Sequence, residues 1–203
     1  MPRINLEDVA AYYRALGEFV DTFANVEEVM FMYLSALVGV DHDTARAVFS
    51  GVRIREAISY IKRIAEVRGV QLAAELDDVL GQLQIINDVR NLILHHPTSE
   101  KWRGGSLVQS ISNVGRALTA ERIKEIPISA AILMDMQYDL FRIQVFLFHE
   151  FACLAIPEGE RDAIDRLGPV QIGAWLYKPA QQPPARQTNR IRPRSRRPRE
   201  RGE

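Results

Sequence analysis

The chain has 203 residues, 47% hydrophobic and 26% charged, the profile of an ordinary globular protein with one domain of about 150 residues plus an appendage. Its zero net charge hides an asymmetry: residues 157–203 carry 11 Lys/Arg against 6 Asp/Glu, while residues 1–156 carry 15 against 20, so a mildly acidic body precedes a basic tail. The single Cys153 excludes an intramolecular disulfide and a Cys-cluster metal site, and the longest nearly uncharged apolar run, 29–40, is shorter than the roughly 20 residues that span a bilayer.

Taken in order, the chain opens on Met-Pro-Arg-Ile-Asn-Leu-Glu-Asp, which lacks the apolar core of a secretory signal, so a cytoplasmic location is expected. Asn5 can cap a first helix, with Glu7 and Asp8 suited to its first turn. Leu6, Val9, Tyr13, Leu16, Val20, Phe23, Val26 (or Glu27), Met30, Leu34 and Leu37 recur with a period near 3.5 and predict a helix to about residue 38. Gly39-Val40-Asp41-His42-Asp43 stops it and caps a short helix over 44–49. A third helix, 53–68, buries Ile54, Ala57, Ile58, Ile61 and Ile64, and Gly69 ends it.

The fourth predicted helix, 72–96, has Leu76, Val79, Leu80, Leu83, Ile86, Val89 (or Arg90), Ile93 and Leu94 at helical spacing. Its other side carries Gln84, Asn87, Asp88, Asn91 and His95, and residues four apart stack, so Asn87, Asn91 and His95 form one polar line. Pro97 pushes His96 out of the helical region. Residues 97–128 change character: 106–113 alternates, Val114-Gly115 can turn and further extended segments follow, which predicts a β-hairpin or long loop. A last long helix, from about 128 to 155, runs through Ile132, Leu133, Met136, Leu140, Ile143, Leu147, Phe151 and Leu154 to a stop at Pro157. The expected organisation is an all-α up-and-down bundle of about five helices over 1–156, with 97–128 inserted before the last helix. A partly ordered extension over 157–178 follows, with a short helix near 161–167 and Trp175, Leu176 and Tyr177 able to pin it to the body. Residues 179–203, with five prolines and eight arginines, are expected to be a disordered basic tail.

Most chemistries fail on spacing. There is no G-x-x-x-x-G-K loop and no G-x-G-x-x-G after a strand. His149-Glu150-Phe151-Ala152-Cys153 is one residue from the H-E-x-x-H zinc pattern, but the cysteine in the second position and the lack of a third ligand argue against zinc. Asp41-His42-Asp43 is explained as a capping loop, and no metal or cofactor is expected. That leaves Arg90, Asn91 and His95. Arg90 and His95 are five apart, about 140° around a helix, so they reach one ligand only if the helix loosens near His95 or a second copy completes the site.

Arg90-Asn91-Leu92-Ile93-Leu94-His95, after an apolar helix and before a helix breaker, resembles the R-x(4–6)-H motif of HEPN domains. The long first helix with Phe23-Ala24-Asn25-Val26-Glu27, an aromatic-then-acidic pattern, agrees with it, and the resemblance covers roughly residues 5–155. It implies an all-α bundle and a metal-independent endoribonuclease acting at a homodimer interface, possible in a toxin or defence setting, with Arg90, His95 and Asn91 as the catalytic set. It also implies RNA as substrate and an antitoxin or other regulatory protein as a further partner. The chemistry is coherent: histidine titrates near neutrality and exchanges protons, arginine holds two phosphate oxygens in its planar fork, and Asn91 can orient the imidazole or contact phosphate. One departure is Pro97, which stands where many such toxins carry a tyrosine that their partner adenylates.

The alternative is a non-catalytic HEPN-like module that binds nucleotide, RNA or protein. Cations at a helix C-terminus suit its dipole, and Arg90 can pair with Glu27 to hold two helices in register. Arg192, Arg194, Arg196 and Arg197 in the tail are candidate RNA contacts of a salt-dependent, sequence-blind kind, and the tail lacks the interleaved aromatics of a stacking reader.

Overall fold

A 33-residue helix, α1 (Leu6–Val38), forms the spine of the protein. The computed structural model describes residues 6–96, 98–103, 106–112 and 125–179. The Asn5 cap, Pro97, the turn at Val114-Gly115 and the tail arginines Arg192, Arg194, Arg196 and Arg197 lie outside these residues. After α1 come α2 (His42–Phe49), α3 (Ile54–Arg68), α4 (Leu76–His95), strands β1 (Thr98–Arg103), β2 (Ser106–Ser112) and β3 (Glu125–Pro127), then α5 (Ala130–Ala155) and α6 (Asp162–Leu167). The fold is an all-α bundle with an inserted hairpin, as the periodicity predicts, and a third short strand extends the hairpin.

Punctuation in the sequence sets these bounds. Gly39 adopts φ +73°, and the Arg68 guanidinium from the end of α3 donates to Leu37 O at 2.8 Å beside it. A Cβ on Gly39 would meet Arg68 Nη1 at 2.6 Å, the movable end of a flexible side chain, so it is the positive φ that favours glycine here. Asp41 caps α2 by accepting from Thr44 N at 2.9 Å and Thr44 Oγ1 at 2.7 Å. Gly69 ends α3 in the left-handed region. Ser129 caps α5, accepting from Ile132 N at 3.2 Å.

α1 packs most extensively on α5 and next on α3, and α4 touches both α3 and α5. Ion pairs fix α3 against α4 in antiparallel sense, Arg55 to Asp88 at 3.6 Å and Lys62 to Asp77 at 2.7 Å. The core joins Phe19, Phe23, Val26, Met30 and Leu34 of α1 to Ile61, Leu80, Leu83, Ile86, Met136, Leu140 and Leu147. From Phe23 onward the predicted stripe of α1 is the buried one. Before it the stripe is corrected by one residue: Tyr12, Ala15 and Phe19 are buried, while Tyr13 and Val20 are exposed. Adjacent apolar residues offer two stripes 100° apart there, and packing selects one. Leu94, expected inside, is also exposed.

The sheet is antiparallel with order β1-β2-β3, Thr98 opposite Ile111 and Ile111 opposite Ile126. It is sewn to the bundle by buried Ile111 and Ile128 and by a Tyr12 Oη to Thr98 Oγ1 hydrogen bond of 3.1 Å. The extension returns across α4 and α5. Trp175 Nε1 donates to Asp78 at 2.9 Å, and the backbone N–H groups of Leu176 and Tyr177 donate to the Asp139 carboxylate at 3.0 and 2.9 Å. Among the described residues, no single helix is long and apolar enough to cross a membrane.

Candidate functional site

The polar line of α4 opens onto a cleft of about 1130 Å3. Asn87, Asp88, Arg90, Asn91 and His95 of α4 form one wall, and Glu27, Glu28 and Phe31 of α1 form another. His42, Arg46 and Phe49 of α2, with residues 50–56 leading into α3, complete it. Arg90, Asn91 and His95, the three residues singled out by sequence, therefore line one cleft of a single chain. The helix does not loosen to achieve this: α4 stays helical through His95, and only His96 turns extended, at φ −136° and ψ 140°. The cleft is simply wide enough to receive groups 140° apart on the helix.

Arg90 is the most constrained of the three. Its guanidinium carbon lies 5.0 Å from the centroid of the buried Phe23 ring, a cation–π contact. Nη1 donates to Asn91 Oδ1 at 3.3 Å, and Nη2 stands 4.0 Å from Glu27 Oε2, an ion pair but too long for a hydrogen bond. With five N–H donors on a guanidinium, most of its capacity is uncommitted among the described residues. His95 is exposed on the last turn and has no side-chain hydrogen bond among the described residues. Asn87, a turn before Asn91, is nearly buried.

Four further basic residues line the cleft: His42, which the sequence explains as part of a capping loop, and Arg46, Arg53 and Arg55, which the sequence did not single out. His42 stacks edge-on against Phe31, with ring centroids 5.8 Å apart, and its Nδ1 is 3.7 Å from Asp43. Arg53 and Arg55 flank the start of α3, where the Arg53 N–H donates to Glu56 at 3.1 Å. A Ser50-Gly51 turn leading to arginines at a helix start was the available signal, because helix N-termini favour anions. The four arginines are matched by Glu27, Glu28, Glu56 and Asp88, so the cleft is charge-mixed rather than uniformly basic. Asp88 is itself engaged, accepting from Gln84 at 2.9 Å and pairing with Arg55.

Elsewhere, His149 Nδ1 lies 3.3 Å from Glu150 and 3.8 Å from Cys153 Sγ. Among the described residues no three His, Cys, Asp or Glu side chains are grouped to hold a metal ion. The residue most conspicuously missed is Asp139, a fully buried carboxylate in the middle of α5. It accepts from Gln82 Nε2 at 3.0 Å as well as from the two extension N–H groups. No family model, no curated protein and no solved structure matches this chain.

Proposed function

We propose that the cleft binds RNA and cleaves it without a metal, as an endoribonuclease of the kind HEPN domains exemplify. The observation that carries this reading is that Arg90, Asn91 and His95 share one cleft with His42 and with the arginine-flanked start of α3. In the proposed reaction a histidine accepts the proton of a 2′-hydroxyl, the oxygen attacks the adjoining phosphorus, and the P–O5′ bond breaks. A second group returns a proton to the leaving O5′. His95 and His42 are the two imidazoles lining the cleft, and they take these transfers because imidazole is the most common general acid–base side chain. Arg90, with donors to spare, holds the phosphate oxygens whose charge rises in the transition state. Asn91 keeps the guanidinium turned toward the cleft through its 3.3 Å hydrogen bond.

One observation favours a second reading, a non-catalytic module that binds RNA, nucleotide or a regulatory protein. The Arg90–Glu27 pair and the Arg90–Phe23 contact also suit an arginine whose task is to tie α4 to α1. The two readings part in one experiment. The purified chain is incubated with single-stranded and structured RNAs in EDTA, beside Arg90→Ala, His95→Ala and His42→Ala. The nuclease reading expects cleavage by the wild type and a loss of about 10²-fold or more in each variant, the usual scale of acid–base catalysis. It expects circular dichroism spectra to stay unchanged. No cleavage of any RNA by the wild type removes it, and retained RNA binding without cleavage selects the module.

A further inference from the structure

The solvent side of α5 is built for something other than water. Every exposed residue along this 26-residue helix is apolar: Ala131, Met134, Tyr138, Phe141, Val145, Phe148 and Ala155. The five large ones are 59, 55, 58, 40 and 52% exposed from Met134 to Phe148. The exposed side of α3 is the contrast, carrying Arg55, Glu56, Lys62, Arg63, Glu66 and Arg68. The α5 positions are spaced four, three, four and three residues apart, the heptad seam of a helix that packs on another helix.

We infer that this seam pairs with the same seam of a second copy, antiparallel about a two-fold axis close to Asp139 and Leu140. The reason is self-complementarity. Setting Tyr138 opposite Phe141 of the second copy places Met134 opposite Val145 and Ala131 opposite Phe148, so the bulkiest outer ring meets the smallest residue. The same register fixes the flanks. Asp135, which has no ion pair among the described residues, falls beside Arg142 of the second copy, and Gln137 falls beside Gln144, each twice by symmetry. The Arg142 guanidinium is already held in place by the carbonyls of Gly173 and Ala174, at 2.6 and 2.9 Å. A groove of about 420 Å3 runs along the seam between Thr22 and Asn25 of α1 and residues 134–144 of α5, where side chains of the second copy can seat.

Other occupants fit less well. Residues 180–203 contain one large apolar side chain, Ile191, and cannot cover five. A membrane surface calls for Lys/Arg flanks, whereas Asp135, Gln137 and Gln144 flank this seam, and Arg142 is the one Lys/Arg of α5. The exposed parts of the five large side chains amount to on the order of 500 Å2 per copy, so a pair buries about 1,000 Å2 through them alone, the lower bound for a biological interface. No residue lining the Arg90–His95 cleft lies on α5, so the pairing stands whether or not the cleft cleaves RNA.

Light scattering on the full chain at micromolar concentration tests this. The wild type is expected at twice the 23.1 kDa chain mass. Phe141→Glu, and separately Phe148→Glu, are expected at the monomer mass with an unchanged helical spectrum, because both rings are half in water already. Val67→Glu on α3 serves as the exposed control that stays dimeric. The register is read by mixing Met134→Cys with Val145→Cys chains: a disulfide between them forms in the mixture, mapped by peptide mass. Neither variant forms a symmetric disulfide alone, since identical positions sit about 16 Å apart along the axis. A wild type that stays monomeric, with or without affinity for anionic vesicles, overturns the inference, as does a dimer that survives both glutamate variants.

Discussion

Two arginines of this protein sit in almost the same local arrangement and are used differently. Arg90 lies over Phe23 at 5.0 Å with Glu27 4.0 Å away, and Arg142 lies over Trp175 at 4.9 Å with Asp139 3.6 Å away. The second is closed around its carboxylate: Asp139 is fully buried and accepts from Gln82, Leu176 and Tyr177, while Arg142 donates to two backbone carbonyls and keeps donors at its exposed rim. The first is open. The Glu27 side chain is 43% exposed and Arg90 keeps most of its donors free, facing the cleft. A cluster whose buried carboxylate is saturated holds the fold together, whereas one whose carboxylate is open to water leaves its arginine able to bind something else.

Removing Asp139 tests the saturated side and should have the largest effect. Asp139→Ala leaves the Gln82 amide and two backbone N–H groups short of an acceptor and takes away the ion partner of Arg142. A loss of about 3–5 kcal/mol in urea unfolding is expected, together with proteolysis of the released extension near Trp175. Glu27→Gln, by contrast, breaks a pair that water screens, and should cost no more than about 1 kcal/mol, less at high salt. Equal costs at the two sites would end the comparison, because the cleft cluster would then be structural as well.

A smaller effect of opposite sign sharpens the same contrast. Beneath the extension the Tyr177 hydroxyl is buried with no hydrogen-bond partner among the described residues, and burial pushes its pKa up. Tyr177→Phe removes a donor that water can no longer reach, so stability should rise by up to about 1 kcal/mol, measured by thermal unfolding at neutral pH. A clear loss instead would mean that the hydroxyl has a partner after all, and that the saturated region extends further than Asp139.

The helix bounds were legible because local chemistry sets them: Gly39 and Gly69 adopt positive φ, Asp41 caps α2, and Pro157 follows the end of α5. The polar line Asn87–Asn91–His95 was legible for the same reason, a spacing of four on one helix. What surrounds it was not, since His42, Arg46, Arg53 and Arg55 arrive from α2 and the start of α3, and nothing local says which face of α4 they meet. Asp139 was hidden more deeply. A carboxylate inside an apolar run reads as an exposed interruption, and its partners Gln82, Leu176 and Tyr177 stand 57, 37 and 38 residues away. The choice between Tyr12 and Tyr13, or Phe19 and Val20, needed the neighbouring helices themselves.

The gentlest test lies at α2, where Asp41 caps the helix that carries His42. Hydrogen bonds from Thr44, backbone first and hydroxyl second, hold the Asp41 carboxyl below its ordinary pKa. A lowered folded-state pKa means that the folded form prefers the carboxylate. The cap therefore stabilises α2 fully above the ordinary aspartate range near pH 4, and that contribution is lost as pH falls through the depressed value. Asp41→Asn keeps an oxygen that accepts from the Thr44 N–H but cannot titrate. Wild type and variant should therefore have thermal midpoints that separate slightly at neutral pH and converge in acid. His42 ring resonances followed by NMR should report the same convergence if the cap holds that histidine in the cleft. Midpoints that stay parallel down to low pH would detach Asp41 from the stability of α2, and the cleft wall that bears His42 would then owe its position to Phe31 and the packing of Ala45 alone.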